Sequence, residues 1–391
     1  MHDHTNVTSI LASRPRALEF FAGVGLARMG LEQAGFRVVW ANDYEPDKKM
    51  MYAAHFRDEE QHPDHAYELG DVFDVDPDTL PVGTSIAWGS SPCTDLSLAG
   101  SRGGIRAGES NAFWGYIKAL DALGQGRPPV VVLENVVGLA TSHGGDDLAA
   151  AIRAFNELGY SVDVLMIDAR RFIPQSRPRL FLVGAMTPPQ ETDSSVSMLR
   201  PPAISWVFED VSLRTHRAAL PTPPDLLASG LADVVETLSD DDDRWWDEQR
   251  TQAFVKSLSA IQASRVETLL NSRATTYRTA YRRTRNGVAI WEVRPDEIAG
   301  CLRTARGGSS KQAVVQISGN GIRVRWMTPL EYARLMGAGE YNIAGIRDNK
   351  VLFAFGDAVA VPAVAWLGKN YLMPLVRAQA VREEVGISLA Q

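Results

Sequence analysis

A cysteine at the end of an apolar segment is the residue of this sequence best placed for nucleophilic chemistry. Cys93 lies in the run SSPCTDLS (90–97), directly after the apolar segment Thr84–Trp88, which we predict to be a strand. α/β sheets form their ligand crevice at the carboxyl ends of strands, whereas a structural cysteine more often lies inside an apolar run. The glycine-rich loop that follows carries Arg102 and Arg106, whose charges would favour a thiolate. We therefore predict that Cys93 is a thiolate nucleophile.

Acidic and basic side chains accompany other apolar segments in a similar way. Glu134 comes directly after Val130–Leu133, and a carboxyl group at the edge of a sheet can donate a proton to a substrate. Arg177 and Arg179 lie directly before Leu180–Val183. Each feature has an ordinary structural explanation when taken alone. Their order along one chain favours a single site at one edge of the predicted sheet.

A glycine-rich turn near the N-terminus predicts a ligand site. The run EFFAGVG (19–25) joins the first apolar segment to a helical pattern, and its glycines would let a ligand approach the backbone closely. Asp43 follows Gly23 by 20 residues, a spacing at which an acidic side chain can accept hydrogen bonds from ribose hydroxyls. Because position 28 is Arg28, the GxGxxG pattern is incomplete, which favours an adenosyl ligand without phosphates over a dinucleotide. A plain tight turn explains the two glycines equally well. Asp71 either accepts a hydrogen bond from an adenine amino group or is an ordinary turn aspartate.

The elements that must position these residues alternate between short apolar runs and amphipathic segments over the first 185 residues. This alternation is typical of a parallel, doubly wound α/β sheet. The candidate strands are Ala17–Phe21, Val38–Ala41, Thr84–Ala87, Val130–Leu133, Val162–Ile167 and Leu180–Val183, with a further strand ending before Gly70. The candidate helices are Leu26–Ala34, Trp114–Leu123 and Leu148–Leu158.

The chain changes character after Ala185. Residues 186–230 are rich in proline, which predicts an exit from the sheet domain. The stretch 273–325 then contains eleven basic and three acidic residues, a local net charge of +8 in a chain whose formal net charge is −7. A charged stretch is usually a solvated surface, and the overall negative charge argues against a nucleic-acid partner. The density of arginines among tyrosine, tryptophan and glycine nevertheless points to a nucleic-acid-binding face.

Composition restricts the class of protein. With 391 residues, 45% hydrophobic and 22% charged, the chain can form two or three domains and is neither disordered nor of low complexity. No apolar run approaches the ~18 residues of a membrane span, and Met1–Pro15 lacks the pattern of a secretory signal. The two cysteines, Cys93 and Cys301, offer neither a disulfide framework nor metal-ligand spacing, so we expect no metal and a structural Cys301. We expect a cytoplasmic protein.

Together, the motifs resemble those of the DNA (cytosine-5)-methyltransferase family. The matching runs, in chain order, are EFFAGVG, ANDYE, GDV, SPCTDLS, ENVVG, QSRPR, MTPLEYARLMG and GDAVAVP. They cover residues 17–185 and 327–365. The resemblance implies a class I, Rossmann-like S-adenosylmethionine-dependent methyltransferase whose sheet is doubly wound and mostly parallel. It further implies a catalytic domain over 1–185, a smaller variable target-recognition domain over 186–326, and a segment 327–391 that returns to the catalytic domain.

The resemblance also implies a role for each motif residue. Cys93 would add to C6 of a cytosine, Glu134 would protonate or hydrogen-bond N3, Arg179 would hold O2, and Arg177 would support the cysteine loop. C5 would then take the methyl group of S-adenosyl-L-methionine, and loss of the C5 proton would allow elimination of the cysteine. Because a stacked base cannot reach such a pocket, the cytosine would be flipped out of the duplex. Asp43 would meet the ribose, Tyr44 the adenine face, and Asp71 and Val72 the adenine edge; the full set of expected cofactor-binding residues is Phe21, Gly23, Gly25, Asp43, Tyr44, Asp71, Val72, Pro92, Asp357 and Val359.

Double-stranded DNA is the partner that the resemblance implies. We expect a monomer without membrane association, associated with the nucleoid while bound to DNA, in a restriction-modification or phage-defence setting. The alternatives are an RNA (tRNA) cytosine-5 methyltransferase on the same scaffold and a catalytically silent DNA-binding paralogue. The presence of Cys93 and Glu134 disfavours the silent paralogue, and the incomplete glycine pattern disfavours an NAD-dependent enzyme. The side chains expected to contact DNA are Ser97, Arg102, Arg106, Arg278, Arg282, Arg283, Arg285, Arg303 and Arg306.

The sequence departs from the family pattern at four places. Thr94 stands where glutamine is most common, Leu26 replaces a common glycine, and Asp357 stands where asparagine is usual. The segment 109–111 lacks an arginine that the family often carries, which Arg102 or Arg106 would replace. None of these departures removes the nucleophile or the acid.

Overall fold

The computed structural model describes residues 14–92, 103–193, 196–272, 274–285, 288–304 and 311–389. Four predicted site residues lie outside these ranges, namely Cys93, Ser97, Arg102 and Arg306. The chain divides into two compact units. The first unit comprises Met1–Ile167, Pro178–Thr222 and Ala363–Gln391, and the second comprises Asp168–Arg177 and Pro223–Pro362.

The described residues form strands and helices in the following chain order. They are β1 (Arg16–Phe20), α1 (Leu26–Gln33), β2 (Arg37–Asp43), α2 (Pro46–Phe56), α3 (Asp58–Gln61), β3 (Ala66–Leu69), β4 (Ile86–Ser90), α4 (Ala112–Ala122), β5 (Val130–Val136), α5 (Asp146–Glu157), β6 (Ser161–Asp168), β7 (Pro178–Ala185), α6 (Pro202–Ser205), α7 (Leu231–Val234), α8 (Glu248–Lys256), α9 (Ala260–Asn271), β8 (Thr276–Arg285), β9 (Val288–Val293), β10 (Gln312–Ser318), β11 (Gly321–Trp326), α10 (Pro329–Leu335), α11 (Asp348–Asp357), α12 (Val361–Leu367) and α13 (Met373–Leu389). A π-helical turn, Gly368–Leu372, precedes α13. Short 3₁₀ turns lie at Val72–Asp74, Pro77–Thr79, Gly108–Asn111, Gly124–Gly126, Val137–Ala140, Ser142–Gly145, Ala169–Arg171 and Trp206–Phe208.

The sheet of the first unit has the strand order β3-β2-β1-β4-β5-β7-β6. The pairs β1/β2, β2/β3, β1/β4 and β4/β5 are parallel, whereas β5/β7 is antiparallel. Neighbouring parallel strands need a long crossover connection, usually a helix. The short segment 169–177 between the neighbours β6 and β7 holds one 3₁₀ turn, which explains the reversed direction of β7. The prediction of a doubly wound, mostly parallel α/β sheet is confirmed.

The core of this unit lies against the apolar strands of the sheet. Its buried side chains include Trp40, Trp88, Tyr116 and Phe155, and parallel strands buried on both faces read as near-continuous apolar runs. This pattern made the central strands predictable. The strands extend beyond their predicted apolar runs into polar residues, so that β2 ends at Asp43 and β5 includes Glu134.

Residues 186–222 belong to the first unit, although the predicted boundary places them with the second. Arg200, which is fully buried, forms an ion pair with the buried Asp163 of β6, with 2.6 Å between Nη2 and Oδ2. Tyr371 donates to the same carboxylate at 3.0 Å, and a β-bridge joins Val162 to Thr215. The proline-rich composition therefore follows the last strand of this sheet, β7, and does not mark the end of the unit.

The second unit contains a four-stranded antiparallel sheet with the order β11-β10-β8-β9. Its apolar core packs around Phe254, Val266, Val315 and Val324. Burial does not alternate strictly along these strands: Gln312–Val315 of β10 and Arg278–Ala280 of β8 are all buried.

Residues 327–362 also belong to the second unit, whereas the predicted boundary returns them to the catalytic domain. A capping box between Thr328 and Glu331 begins α10. Glu331 also forms a fully buried ion pair with Arg325 of β11, and Arg334 donates to the carbonyl of Val234 at 2.9 Å. These bonds tie the MTPLEYARLMG run to the preceding sheet, which sequence spacing does not reveal.

Among the described residues, one stretch, Asp348–Arg382, is long and apolar enough to cross a membrane by length and composition. Two thirds (67%) of its most apolar window is buried inside the protein. Burial of this extent is typical of a helix in the core of a folded protein, which is how we interpret the stretch.

Candidate active site

The turn after β1 holds its backbone in the left-handed region at three positions. The φ angles are 56° at Phe21, 57° at Gly23 and 80° at Gly25. This region is unfavourable for any residue with a Cβ, and such strain often marks functional sites. A Cβ on Gly25 would lie 2.4 Å from the ring of Phe56, so only glycine fits there. At Gly23 a Cβ would clash with no atom: it would make ordinary van der Waals contacts, the nearest with Lys48 Cδ at 3.8 Å.

Asp43, at the end of β2, lies directly beside this turn. Its Oδ2 accepts a hydrogen bond from the Gly23 amide at 2.9 Å, and its Oδ1 accepts one from the Glu45 amide at 2.9 Å. The carboxylate is 5% exposed. Each carboxylate oxygen has a second lone pair, which leaves it able to accept a hydrogen bond from a ribose hydroxyl. The next residue, Tyr44, is 50% exposed and can present its ring to a ligand.

Two residues that were not predicted as site residues form hydrogen bonds that support this turn. Tyr67 of β3 donates from its hydroxyl to the carbonyl of Gly23 at 3.2 Å. Glu19 of β1 is fully buried and accepts from the Arg28 amide at 3.0 Å, at the first turn of α1. Burial raises the pKa of Glu19 to about 8. An acidic residue in an apolar strand is the signal that could have identified Glu19.

Asp71 and Val72 follow β3 at the same edge of the sheet. Asp71 caps the 3₁₀ turn Val72–Asp74, where its Oδ1 accepts from the Phe73 amide at 3.0 Å. Asp71 is exposed, whereas the side chain of Val72 is buried in the core. The turn role of Asp71 is therefore present in the structure.

An adenosyl ligand fits the residues of this turn. A Cβ at Gly23 would lie 4.0 Å from Oδ2 of Asp43 without overlapping any atom, so the glycine lets a ligand approach the backbone beside this carboxylate. The two glycines, Asp43, which is predicted to meet the ribose, and the exposed Tyr44 lie at the carboxyl edge of parallel strands, where α/β sheets bind ligands. Gly25 also replaces a side-chain cap at the start of α1.

The strand that leads to Cys93 is joined to β5 by side-chain hydrogen bonds. Ser90, the last residue of β4, pairs with Glu134 of β5. Asn135 donates from Nδ2 to the hydroxyl oxygen of Ser91 at 3.0 Å, and Ser91 is buried. Pro92 is the last residue of this described segment. Cys93 follows it in the sequence, three residues after Ser90. Asn135 was not predicted as a site residue, although its place in the run ENVVG is a signal.

Glu134 and Arg179 form an ion pair at this edge of the sheet. Arg179 of β7 places its Nε 3.0 Å from Oε1 of Glu134, and both side chains are largely buried, at 13% and 9% exposure. Nη1 of Arg179 donates to the carbonyl of Pro178 at 3.0 Å. The strand register explains why Glu134 and Arg179 are close. Val136, two residues after Glu134 on β5, pairs with Arg179 of β7. A carboxyl group and a guanidinium group thus stand together beside the end of β4.

Arg177 has a different environment, within the second unit. Its guanidinium is buried and donates from Nη1 to the carbonyl of Leu302 at 2.8 Å and from Nη2 to the carbonyls of Gly356, at 3.2 Å, and Ala358. Cys301 Sγ lies 3.3 Å from Nη1. Arg177 therefore holds the backbone of the GDAVAVP run, while the cysteine loop that it is expected to support lies outside the described residues.

The predicted cofactor residues of the C-terminal motif lie in the second unit. Asp357 accepts a hydrogen bond from the hydroxyl of Thr304, and Val359 is buried. Gly356 has backbone packed against it, because a Cβ there would lie 2.4 Å from the carbonyl oxygen of Arg303. Gln175, which was not predicted, is fully buried and bonds the Leu302 amide and the Leu335 carbonyl, so it links the QSRPR run to α10.

The arginines expected to bind DNA have unequal surroundings. Arg278 is 6% exposed and forms an ion pair with Glu297 at 3.1 Å, so its charge is not presented to solvent. Arg282 and Arg303 are exposed. Arg283 is exposed and pairs with Glu292 at 3.0 Å. Arg106, in the first unit, is exposed and lies over the ring of Trp114, with 4.3 Å from its Cζ to the centroid. Arg285 is described only in its backbone.

Comparison of the sequence with known protein families shows to which family the chain belongs. Residues 16–372 match the family described as C-5 cytosine-specific DNA methylase. The chain belongs to this family. The family uses S-adenosyl-L-methionine as methyl donor, in agreement with the fit of the β1–α1 turn.

Similar curated proteins include type II and orphan methyltransferases. M.AgeI of Thalassovita gelatinovora is 31% identical over 188 residues, which cover 45% of this chain and 42% of that protein. M.Rho11sI of Bacillus phage rho11s, an orphan methyltransferase, is 31% identical over 47% of this chain and 35% of its own. The chain thus spans less than half the length of these two relatives. M.HpaII of Haemophilus parainfluenzae is 24% identical over 376 residues, 92% of this chain and 89% of its own.

Solved structures share the fold. The S. pombe Dnmt2 methyltransferase superposes with a TM-score of 0.60 at 18% identity, covering 93% of this chain and 99% of that one. A putative DNA modification methyltransferase encoded within an E. coli prophage superposes with a TM-score of 0.54 at 16% identity, covering 91% and 97%. These likenesses show the architecture of an α/β methyltransferase with a second, antiparallel sheet.

Proposed function

We propose that the chain is a DNA cytosine-5 methyltransferase that acts on a cytosine flipped out of a specific duplex sequence. The observation that carries the proposal is the Glu134–Arg179 ion pair beside the end of β4, the strand that leads into Cys93. S-adenosyl-L-methionine supplies an electrophilic methyl group when bound at the β1–α1 turn. The names of the relatives support a restriction-modification or phage-borne setting.

The residues of the chain supply the remaining chemistry. The thiolate of Cys93 adds to C6, while Glu134 donates a proton or hydrogen bond to N3 and so accommodates the electron pair displaced from the ring. The guanidinium of Arg179 fixes Glu134 and is placed to hold O2. After C5 is methylated, its proton passes to a base or water, the C5–C6 double bond re-forms, and the sulfur–C6 bond breaks. Burial of the ion pair strengthens these interactions, because water is largely excluded from it.

A trapping experiment tests the proposal. In a duplex whose cytosines carry fluorine at C5, the last proton removal is impossible, so the protein should remain covalently attached in the presence of S-adenosyl-L-methionine and resist denaturing electrophoresis. Cys93→Ala should abolish the adduct, and Cys301→Ala serves as the matched cysteine control that should retain it. Bisulfite sequencing of DNA from cells that express the protein gives the methylated sequence.

The same assay discriminates the alternative substrates. Methyl transfer to tRNA and not to duplex DNA would replace DNA by RNA on the same scaffold. Binding of duplex without any transfer or adduct would identify a silent paralogue.

A further inference from the structure

Three tryptophans of the second unit form an aromatic cluster on one face of its sheet. The ring centroids of Trp246, Trp291 and Trp326 lie 5.3–5.6 Å from one another. Phe254 of α8 packs against two of them, at 6.1 Å from Trp246 and 5.5 Å from Trp291. Each tryptophan is only partly buried, so the cluster extends from the core to the surface.

Arg250 of α8 stacks on this cluster. Its Cζ lies 3.9 Å from the ring centroid of Trp246 and 5.5 Å from that of Trp326. The side chain is exposed, and the nearby Asp247 directs its Oδ1 at the Arg250 amide, at 2.7 Å, as the cap of α8. Stacking on indole restricts the guanidinium plane, which reduces the entropy lost when it binds a ligand.

A second arginine lies at the same cluster. Arg282 of β8 is exposed and pairs across the sheet with Trp291, so the two side chains share one face. Burial and the charge of Arg282 together lower the pKa of Arg250, although Asp247 opposes them. Within the part of the chain that the structure describes, neither Arg250 nor Arg282 has a carboxylate at ion-pair distance.

In contrast, neighbouring arginines of this unit have their charges neutralised by ion pairs with acidic side chains. Arg283 pairs with Glu292, Arg244 with Asp242 at 2.8 Å, and Arg323 with Asp240. Arg250 and Arg282 repel each other, Asp247 offsets part of this repulsion, and an anion bound between the two arginines would offset the rest. Guanidinium groups are suited to phosphate, whose oxygens accept their paired N–H donors.

We propose that Arg250 and Arg282 form a seat for one phosphodiester group of the duplex, with the tryptophan cluster as its rigid support. The inference rests on the proposed DNA substrate and adds a residue, Arg250, that the basic stretch 273–325 does not include. Phosphate contacts position a duplex without reading its sequence. The seat would therefore contribute equally to cognate and unrelated duplexes.

The salt dependence of duplex binding tests the seat. Each neutralised phosphate adds about 0.9 to the slope of log Kd against log salt, measured between roughly 50 and 200 mM salt. The double variant Arg250→Gln/Arg282→Gln should lose about 0.9 of this slope if both arginines share one phosphate, and each single variant should lose no more. Arg250→Lys should keep most of the slope because its charge remains. Arg244→Gln, an exposed arginine already neutralised by Asp242, is the matched control and should leave the slope unchanged. Circular dichroism of each variant checks that the unit is folded.

Four outcomes would contradict the inference or the function on which it rests, in distinguishable ways. An unchanged slope in the folded double variant, with normal duplex binding by the wild type, refutes the seat and leaves the proposed function intact. A loss of about 1.8 assigns the arginines to separate phosphates and refutes the shared seat. Inorganic phosphate that quenches tryptophan fluorescence at micromolar concentration in the wild type, and not in Arg250→Gln, identifies a site for free phosphate instead. A wild type that binds no duplex contradicts the proposed function itself.

Discussion

Replacing Gly23 by alanine should weaken cofactor binding more than it weakens the fold. Gly23 has φ 57°, and a Cβ there would find its nearest atoms at 3.8 Å (Lys48 Cδ) and 4.0 Å (Asp43 Oδ2). The added methyl would therefore make ordinary van der Waals contacts and overlap no atom of the protein. It would stand beside the carboxylate of Asp43, in the space where the ribose of the cofactor is expected.

The structure gives a magnitude for each effect. The left-handed backbone costs an alanine about 1–2 kcal/mol, and reduced entropy of the unfolded chain offsets about 0.4–1 kcal/mol of it. We expect the free energy of unfolding to fall by about 1 kcal/mol. An extra methyl in a filled site costs about 1–3 kcal/mol, which corresponds to a Kd for S-adenosyl-L-methionine roughly 5- to 150-fold higher.

Calorimetric titration with S-adenosyl-L-methionine and urea unfolding measure the two effects separately. Gly124→Ala is the matched control, because Gly124 has φ 52° and no atom within 4 Å of a Cβ, so it should lose the same stability and keep the wild-type Kd. Gly25→Ala should lose more stability than either, since its Cβ would overlap the Phe56 ring at 2.4 Å. If Gly23→Ala binds the cofactor as tightly as Gly124→Ala does, the space beside Asp43 is not the cofactor site and the reasoning is wrong.

Three further predictions concern the acid, a buried carboxyl group and a buried ion pair. Glu134→Gln should slow methyl transfer by about two to four orders of magnitude if the carboxyl group acts as a general acid, as measured by single-turnover kinetics; an unchanged rate would exclude that role. Because the pKa of Glu19 is raised to about 8, its protonated form stabilises the fold at low pH, and this contribution should be lost at about 1.4 kcal/mol per pH unit between roughly pH 5 and 8. Glu19→Gln should remove that slope from urea-unfolding measurements, and a slope that persists would contradict the burial argument. Arg200→Met should cost about 3–5 kcal/mol because it leaves Asp163 buried without its cation, whereas Arg37→Met, at an exposed pair with Asp64, should cost less than about 1 kcal/mol in the same assay.

The parallel sheet and the residues at its edge were predictable because both follow from local pattern. Near-continuous apolar runs marked β1, β2, β5 and β7, and the polar residues that end such runs are the ones a parallel sheet collects at one edge. Glu134 and Arg179 meet for this reason. The short strand β3 has no buried residue in its four positions, so only the GDV run that follows it suggested its presence.

Pairing between distant residues was not predictable. The run QSRPR supplies Arg179 to the first unit, while Arg177, two residues earlier, is directed at carbonyl groups of the second. Nothing in the local sequence distinguishes the two arginines. Their environments differ because β7 begins at Pro178, between them.

The same limit applies to charge. The count of +8 over 273–325 treats every arginine as solvated, yet Arg325 is fully buried against Glu331, and Arg323 pairs with Asp240, both acids outside that stretch. Arg250, which the count omits, stacks on Trp246, and in the described structure no carboxylate lies at ion-pair distance from it. A basic surface is therefore defined by arginines that lack counter-charges and not by arginine density. Since only such uncompensated charges release counterions when a duplex binds, the salt slope should follow Arg250 and Arg282 and ignore Arg325.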